Sequence, residues 1–379
     1  MVDTRTDLLV VGAGPYACSA AAYARDRGID TTVVGQPMSF WRDRMPQDMY
    51  LRSGTDWHLD ANGEHTFEAF VEERGLGPAD LDPIPISVFL DHADWFAAQK
   101  GVAVDPRLVA SLTRPNGTFL ATMDDGAVIE ADRVVVAPGV GYFAQVPEWH
   151  ALVPEDRRSH TLDRVTFDDL AGARVAVIGG RQSAYEWAAL LCDHGAARVD
   201  VVHRHPTPAF ERVSWRFVDP YVEQTLAVRG WWRGLTDDRR AGIAREFWEV
   251  GRLTLEHWLV PRLLPDVVHQ HPECAVVDVS AGGEGPVTLT LSDRDVLEVD
   301  HVVFASGYRP DVARVPYLAD VVDRVAATDG FPDLSEGFET SLPGLYVVGF
   351  LATRDFGPFY GFTKGCPSAA QLVVEEMLR

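Results

Sequence analysis

Two short glycine-rich segments are the residues best placed to do chemistry. They are Gly12-Ala13-Gly14-Pro15-Tyr16-Ala17 and Gly179-Gly180-Arg181-Gln182-Ser183-Ala184. Each follows a short apolar run and leads into a stretch that suits a helix. A helix N-terminus offers unpaired N–H groups and the positive end of the backbone dipole, and glycine lacks the Cβ that would hold a pyrophosphate off. Both segments therefore suit dinucleotide binding. In the first, Ala17 fills the third glycine position, which the motif allows, while Gln36 occupies the place of the acid that usually holds a ribose. In the second, Arg181 replaces the second glycine, and it would either push a pyrophosphate away or bind it directly. Arg204 follows the next strand where an NAD-preferring site carries an acid, and arginine there suits the 2′-phosphate of NADPH.

Other chemistry finds little footing. The four cysteines, Cys18, Cys192, Cys274 and Cys366, lie far apart with no C-x-x-C, so a disulfide scaffold, a zinc ribbon and a dithiol centre are poorly supported. His271-Pro272-Glu273 mimics half of a zinc deaminase signature without its P-C-x-x-C partner. Metal ligands are not expected. There is no G-x-S-x-G and no H-E-x-x-H.

The elements that must hold the two turns occur twice. Residues 7–11 and 174–178 read as buried strands of a parallel sheet. Helices follow to about Arg27 and His194, then strands at Thr31–Val34 and Val199–Val202. Later, turn signals at Asn116-Gly117 and Asp125-Gly126 precede Val134–Gly139, and turns at Gly282–Gly285 and Asp293–Asp295 precede Val302–Gly307. Gly12 and Gly179 lie 167 positions apart, and Gly139 and Gly307 lie 168 apart. Two features in near-identical register indicate a domain-scale repeat. The expected fold is α/β, with two Rossmann-like domains. The first spans 1–152 and 328–379; the second spans 153–327 with a helical insertion at 206–266. That insertion is rich in Trp (Trp215, Trp231, Trp232, Trp248, Trp258), and Ile243, Phe247, Val250 and Leu253 recur at helical spacing. Its aromatics are expected to pack largely on their own domain, with part of it walling a substrate pocket at the domain junction.

Composition narrows the partners. The 379 residues carry 34 Lys+Arg against 56 Asp+Glu, a net charge of −22. Nucleic acid and anionic membranes are disfavoured, since both need a basic face. The N-terminus reads as neither a signal peptide nor a membrane span, which suggests a cytoplasmic protein.

With both modules placed, the chain resembles the flavoprotein monooxygenases with two dinucleotide-binding domains, which include flavin-containing monooxygenases, Baeyer–Villiger enzymes and amine N-hydroxylases. The resemblance implies FAD on the first module, at Gly12, Gly14, Pro15, Ala17 and Gln36. It implies NADPH on the second, at Gly179, Arg181, Gln182, Ser183 and Arg204. Phe40-Trp41-Arg42 and Met49-Tyr50-Leu51-Arg52-Ser53 look like the segment beside the flavin ring, and Pro343–Phe350, with Gly349, like the strand that closes the FAD domain. In Thr353–Gly361, Phe356 and Gly361 suit close approach to a flat ring. Arg52 and Asp355 are the polar groups implied near it as catalytic candidates. The family's F-x-G-x-x-x-H fingerprint is degenerate here: His160 is present, but Pro154 and Asp156 replace the Phe and Gly, which disfavours the Baeyer–Villiger branch. The implied activity is NADPH- and O₂-dependent oxygenation of a small molecule through a flavin hydroperoxide, as amine N-hydroxylation or hydroxylation of a heterocycle. A homo-oligomer is compatible with it. A flavoprotein reductase or oxidase, and a regulatory protein that binds nucleotide without turnover, are the alternatives.

Overall fold

The computed structural model describes residues 2–282 and 285–379. Two sheets form its frame, the first mixed and the second parallel, each centred on the strand that enters a glycine-rich turn. In the first, Thr4–Val11 lies between Thr31–Val34 and Val128–Val136, and Leu345–Val347 pairs in parallel with the far side of Val128–Val136. Val10 is level with Val33 on one side and Val135 on the other. In the second, Arg174–Ile178 lies between Arg198–Val202 and His301–Phe304, with Val177 level with Val201 and Val303. The central stretches Leu8–Val11, Val134–Val136, Val175–Val177 and Val302–Phe304 are apolar and buried because both faces of the sheet are covered. The fold class and the repeat are as the sequence implies.

The turns also match in part. Asn116 and Gly117 take positive φ in the turn between Val109–Thr113 and Phe119–Met123, and Gly126 does so before Val128–Val136. Arg294 takes positive φ between Val287–Leu291 and Val296–Val299. The expected turn at Gly282–Gly285 lies partly outside the described residues.

The helix Pro15–Asp26 buries Ala17, Ala20, Ala21 and Ala24. Their small side chains let it lie close against the C-terminal helix Cys366–Met377, which buries Ala369, Ala370, Val373 and Val374. All four cysteines are buried and unpaired.

The insertion and the domain boundary differ from the sequence reading. Trp215, Val218, Trp232, Ile243 and Phe247 join the core of the first domain, beside Phe356, Phe359 and Tyr360. Trp232 Nε1 donates to the Arg354 carbonyl at 2.9 Å, Lys364 pairs with Asp219 at 2.6 Å, and Tyr221 stacks on Phe359. The insertion therefore leaves the second domain in sequence but packs on the first. Trp258, in contrast, packs with the second domain's core. Val312, Val315, Leu318 and Val321 also join the first core, so the chain returns there well before residue 328, near Arg309, whose N–H donates to the Phe143 carbonyl at 2.8 Å.

Candidate functional site

The two turns are built by the same contact. Gly12 has φ +114° and a Cβ there would overlap the carbonyl oxygen of Ala137; Gly179 has φ +147° and a Cβ there would overlap that of Ala305. In each case a strand end passes too close for any other residue. Gly14 then caps the first helix in extended conformation, and a Cβ on it would meet nothing within 4 Å. That open space, in front of helix N–H groups and with Pro15 at the helix start, fits a pyrophosphate. Ala17 is fully buried behind it. A Cβ on Gly35 would lie 3.3 Å from the backbone of Gly12 and Ala13, and Gln36 is exposed at the strand end.

Arg181 stands where Gly14 stands in the first module, as the N-cap of the helix Gln182–Asp193. Its exposed guanidinium lies 4.1 Å from the Trp248 ring centroid, on the insertion. Ser183 is exposed, while Gln182 bonds Glu186 at 2.8 Å and accepts from the Glu256 N–H at 3.0 Å. Arg204 is exposed and makes no ion pair among the described residues, which leaves it available to a phosphate. His203 is buried behind the turn, bonded to the Tyr185 hydroxyl at 3.1 Å.

A chain of contacts joins the two turns. The Tyr16 hydroxyl, in the first turn, lies within hydrogen-bond reach of the carbonyls of Phe362, at 2.9 Å, and Tyr360, and shares its one proton between them. The Phe362 ring lies 5.2 Å from the Arg252 guanidinium, and Arg252 lies 5.4 Å from Trp248, which carries Arg181. Tyr16 and Arg252 were not singled out by sequence. Tyr16 sits at a variable position of the motif, and Arg252 lies in the insertion, where only the aromatics stood out.

The remaining predicted residues fall into three groups. Leu51 is buried, Trp41 packs 4.6 Å from Phe89, and Gly349, at φ +80°, faces the Tyr16 ring, so these line the first module. Gly361 packs on Thr353 and Phe350. Arg42 points away to an exposed ion pair with Asp94 at 2.6 Å. Phe356 is spent on the core: it stacks on Phe338 at 3.5 Å and is 3% exposed, so its face is closed to any ligand.

Arg52 and Asp355, the polar candidates, are both committed to protein partners. Arg52 donates to Glu256 at 2.9 Å and to the carbonyls of Gly251 and Thr254 at 2.9 and 3.0 Å. Burial raises the Glu256 carboxyl above its usual range and Arg52 opposes that shift. Asp355 accepts from the Leu334 N–H at 2.8 Å. His160 ends the edge strand Arg158–His160 of the second sheet, is 5% exposed, and is held neutral chiefly by burial.

The fold and its paired turns define an α/β protein with two strand–turn–helix modules of Rossmann type. Residues 6–230 match the pyridine nucleotide-disulphide oxidoreductase family, and the chain belongs to it. Among characterised proteins it is similar to the FAD-dependent urate hydroxylase of Xanthomonas campestris pv. campestris, 32% identical over 147 residues, 37% of this chain and 31% of that one. It is also 30% identical over 214 residues to ferredoxin–NADP reductase 1 of Cupriavidus metallidurans, 53% of this chain and 52% of that one. The chain thus spans a third to a half of the length of these relatives. Among solved structures it shares the fold of the ornithine N-hydroxylase of Kutzneria sp. 744, with a TM-score of 0.81, 16% identity and 99% of both chains covered. No helix among the described residues is long and apolar enough to cross a membrane.

Proposed function

We propose that the protein is an FAD- and NADPH-dependent monooxygenase that oxygenates a small molecule, by N-hydroxylation of an amine or hydroxylation of a heterocycle. The observation that carries this reading is the contact chain from Tyr16 through Phe362, Arg252 and Trp248 to Arg181. It brings two turns, each built on a glycine pressed against a neighbouring strand end, to one junction, as transfer between two dinucleotides requires. Bound FAD, reduced by NADPH, supplies the oxygen chemistry. Gly12 and Gly14 admit the FAD pyrophosphate, Arg204 takes the 2′-phosphate of NADPH, and the insertion shields the junction from water. Arg52 and Asp355 act as positioning residues: Arg52 ties the flavin-side segment to the insertion, and Asp355 fixes the C-terminal loop. The similarities to a urate hydroxylase and an ornithine N-hydroxylase support the oxygenase reading. A cytoplasmic location fits the same reading.

The similarity to a ferredoxin–NADP reductase favours a second reading, electron transfer without oxygenation. The two are separated by incubating the purified protein with NADPH, ¹⁸O-labelled dioxygen and a panel of amines, amino acids and heterocycles. A product carrying the label supports the monooxygenase. NADPH consumption with no labelled product from any substrate supports the reductase.

A further inference from the structure

Among the described residues Arg252 has no acidic partner, in a strongly acidic protein. It lies in the π-helical turn Phe247–Arg252, between the rings of Trp248 and Phe362 at 5.4 and 5.2 Å. It is half-buried, and desolvation, joined by the like charges of Arg181 and Arg52, pulls its guanidinium down to about 10. Of the three arginines only Arg52 has a carboxylate, Glu256, at 2.9 Å. Holding a charge partly out of water without a partner costs free energy that an anionic ligand would offset. With 56 acidic residues in the chain, leaving Arg252 and Arg181 without a carboxylate is a feature of the site rather than a shortage of carboxylates.

We propose that Arg252, flanked by Trp248 and Phe362, binds the carboxylate of a small substrate with a flat apolar body, and that the substrate is therefore an organic acid. The inference rests on the monooxygenase reading and supplies its substrate class. The two rings give a flat body apolar surface beside the guanidinium, and the guanidinium offers paired donors to a carboxylate. Arg181 lies one ring farther toward the second turn, where a nucleotide pyrophosphate would lie. An oxyanion near Arg252 has two sources, the substrate's carboxylate or the nucleotide's phosphates, and the test separates them.

The flavin-bound protein is titrated calorimetrically with benzoate and, separately, with NADP⁺, for the native chain, Arg252→Met and the exposed control Arg245→Met. The proposal expects native protein to bind benzoate, and Arg252→Met to weaken that binding by about tenfold or more with NADP⁺ affinity the less affected. Arg245→Met binds benzoate as the native chain does. Without ligand, Arg252→Met should melt at or above the native temperature, because it removes a half-buried unpaired charge while keeping much of the volume. The proposal is overturned if native protein does not bind benzoate, if Arg252→Met binds it unchanged, if NADP⁺ suffers the larger loss, or if Arg252→Met melts well below native, the mark of a structural role. Whether NADPH bleaches the bound flavin is read in the same samples, so a failure of the monooxygenase reading is seen separately.

Discussion

A single missing Cβ decides the first module. Because a side chain at Gly14 would meet no protein atom, Gly14→Val should leave the fold intact and fill the space where a pyrophosphate approaches. The expected outcome is a protein of near-native melting temperature that purifies without flavin, checked by its visible spectrum and by identifying any released flavin. Arg204 makes the matching case in the second module. Arg204→Ala should raise KM for NADPH by about tenfold or more, the equivalent of one charge-assisted contact, and change that for NADH little. Equal losses for both nucleotides would show that Arg204 supports the turn instead. These residues were legible in the sequence because the chemistry of a strand–turn–helix is local: the spacing fixes where the N–H groups point. Tyr16, Arg252 and the closed face of Phe356 were not, since each depends on contacts with residues far away in the chain.

At the scale of elements, the insertion divides by position. Trp232 is 5% exposed and anchored by its Nε1 to Arg354, whereas Trp248 is 38% exposed and carries Arg181. Trp232→Ala should cost about 3–5 kcal/mol of stability and lower every activity together. Trp248→Ala should melt near the native temperature but raise the hydrogen peroxide formed per NADPH, through a looser junction. Peroxide yield measured beside the melting temperature checks both. The helical pattern of the insertion was readable, but its partner was not: an apolar face does not say which domain it will cover. The pattern also breaks where the helix widens to π geometry, so Val250 is exposed although Ile243 and Phe247 are buried.

At the scale of the whole molecule, the repeat was legible because register survives in the spacing of glycines. The domain boundary was not, because the return to the first core uses short irregular segments with no periodicity. The molecule should also be acid-sensitive. His92 is fully buried among Phe67, Phe70 and Trp95 with neither ring nitrogen bonded, and His301 is buried against Ser159 at 2.9 Å. Burial holds each at about 4. The unfolded chain therefore binds more protons than the fold between about pH 6.5 and 4, and stability is lost as pH falls through that window. At pH 5 the loss is about 2 kcal/mol for each histidine. Urea unfolding at pH 7 and pH 5 measures it, and His92→Leu should remove its share of the difference.

The central claim is that the two turns hold FAD and NADPH face to face across one junction. Mixing the purified protein with NADPH in the absence of oxygen, while following the flavin absorbance, tests it most directly. The account predicts a yellow protein whose bound FAD bleaches with NADPH, and more slowly with NADH. A protein that binds FAD but keeps its colour in excess NADPH would contradict it.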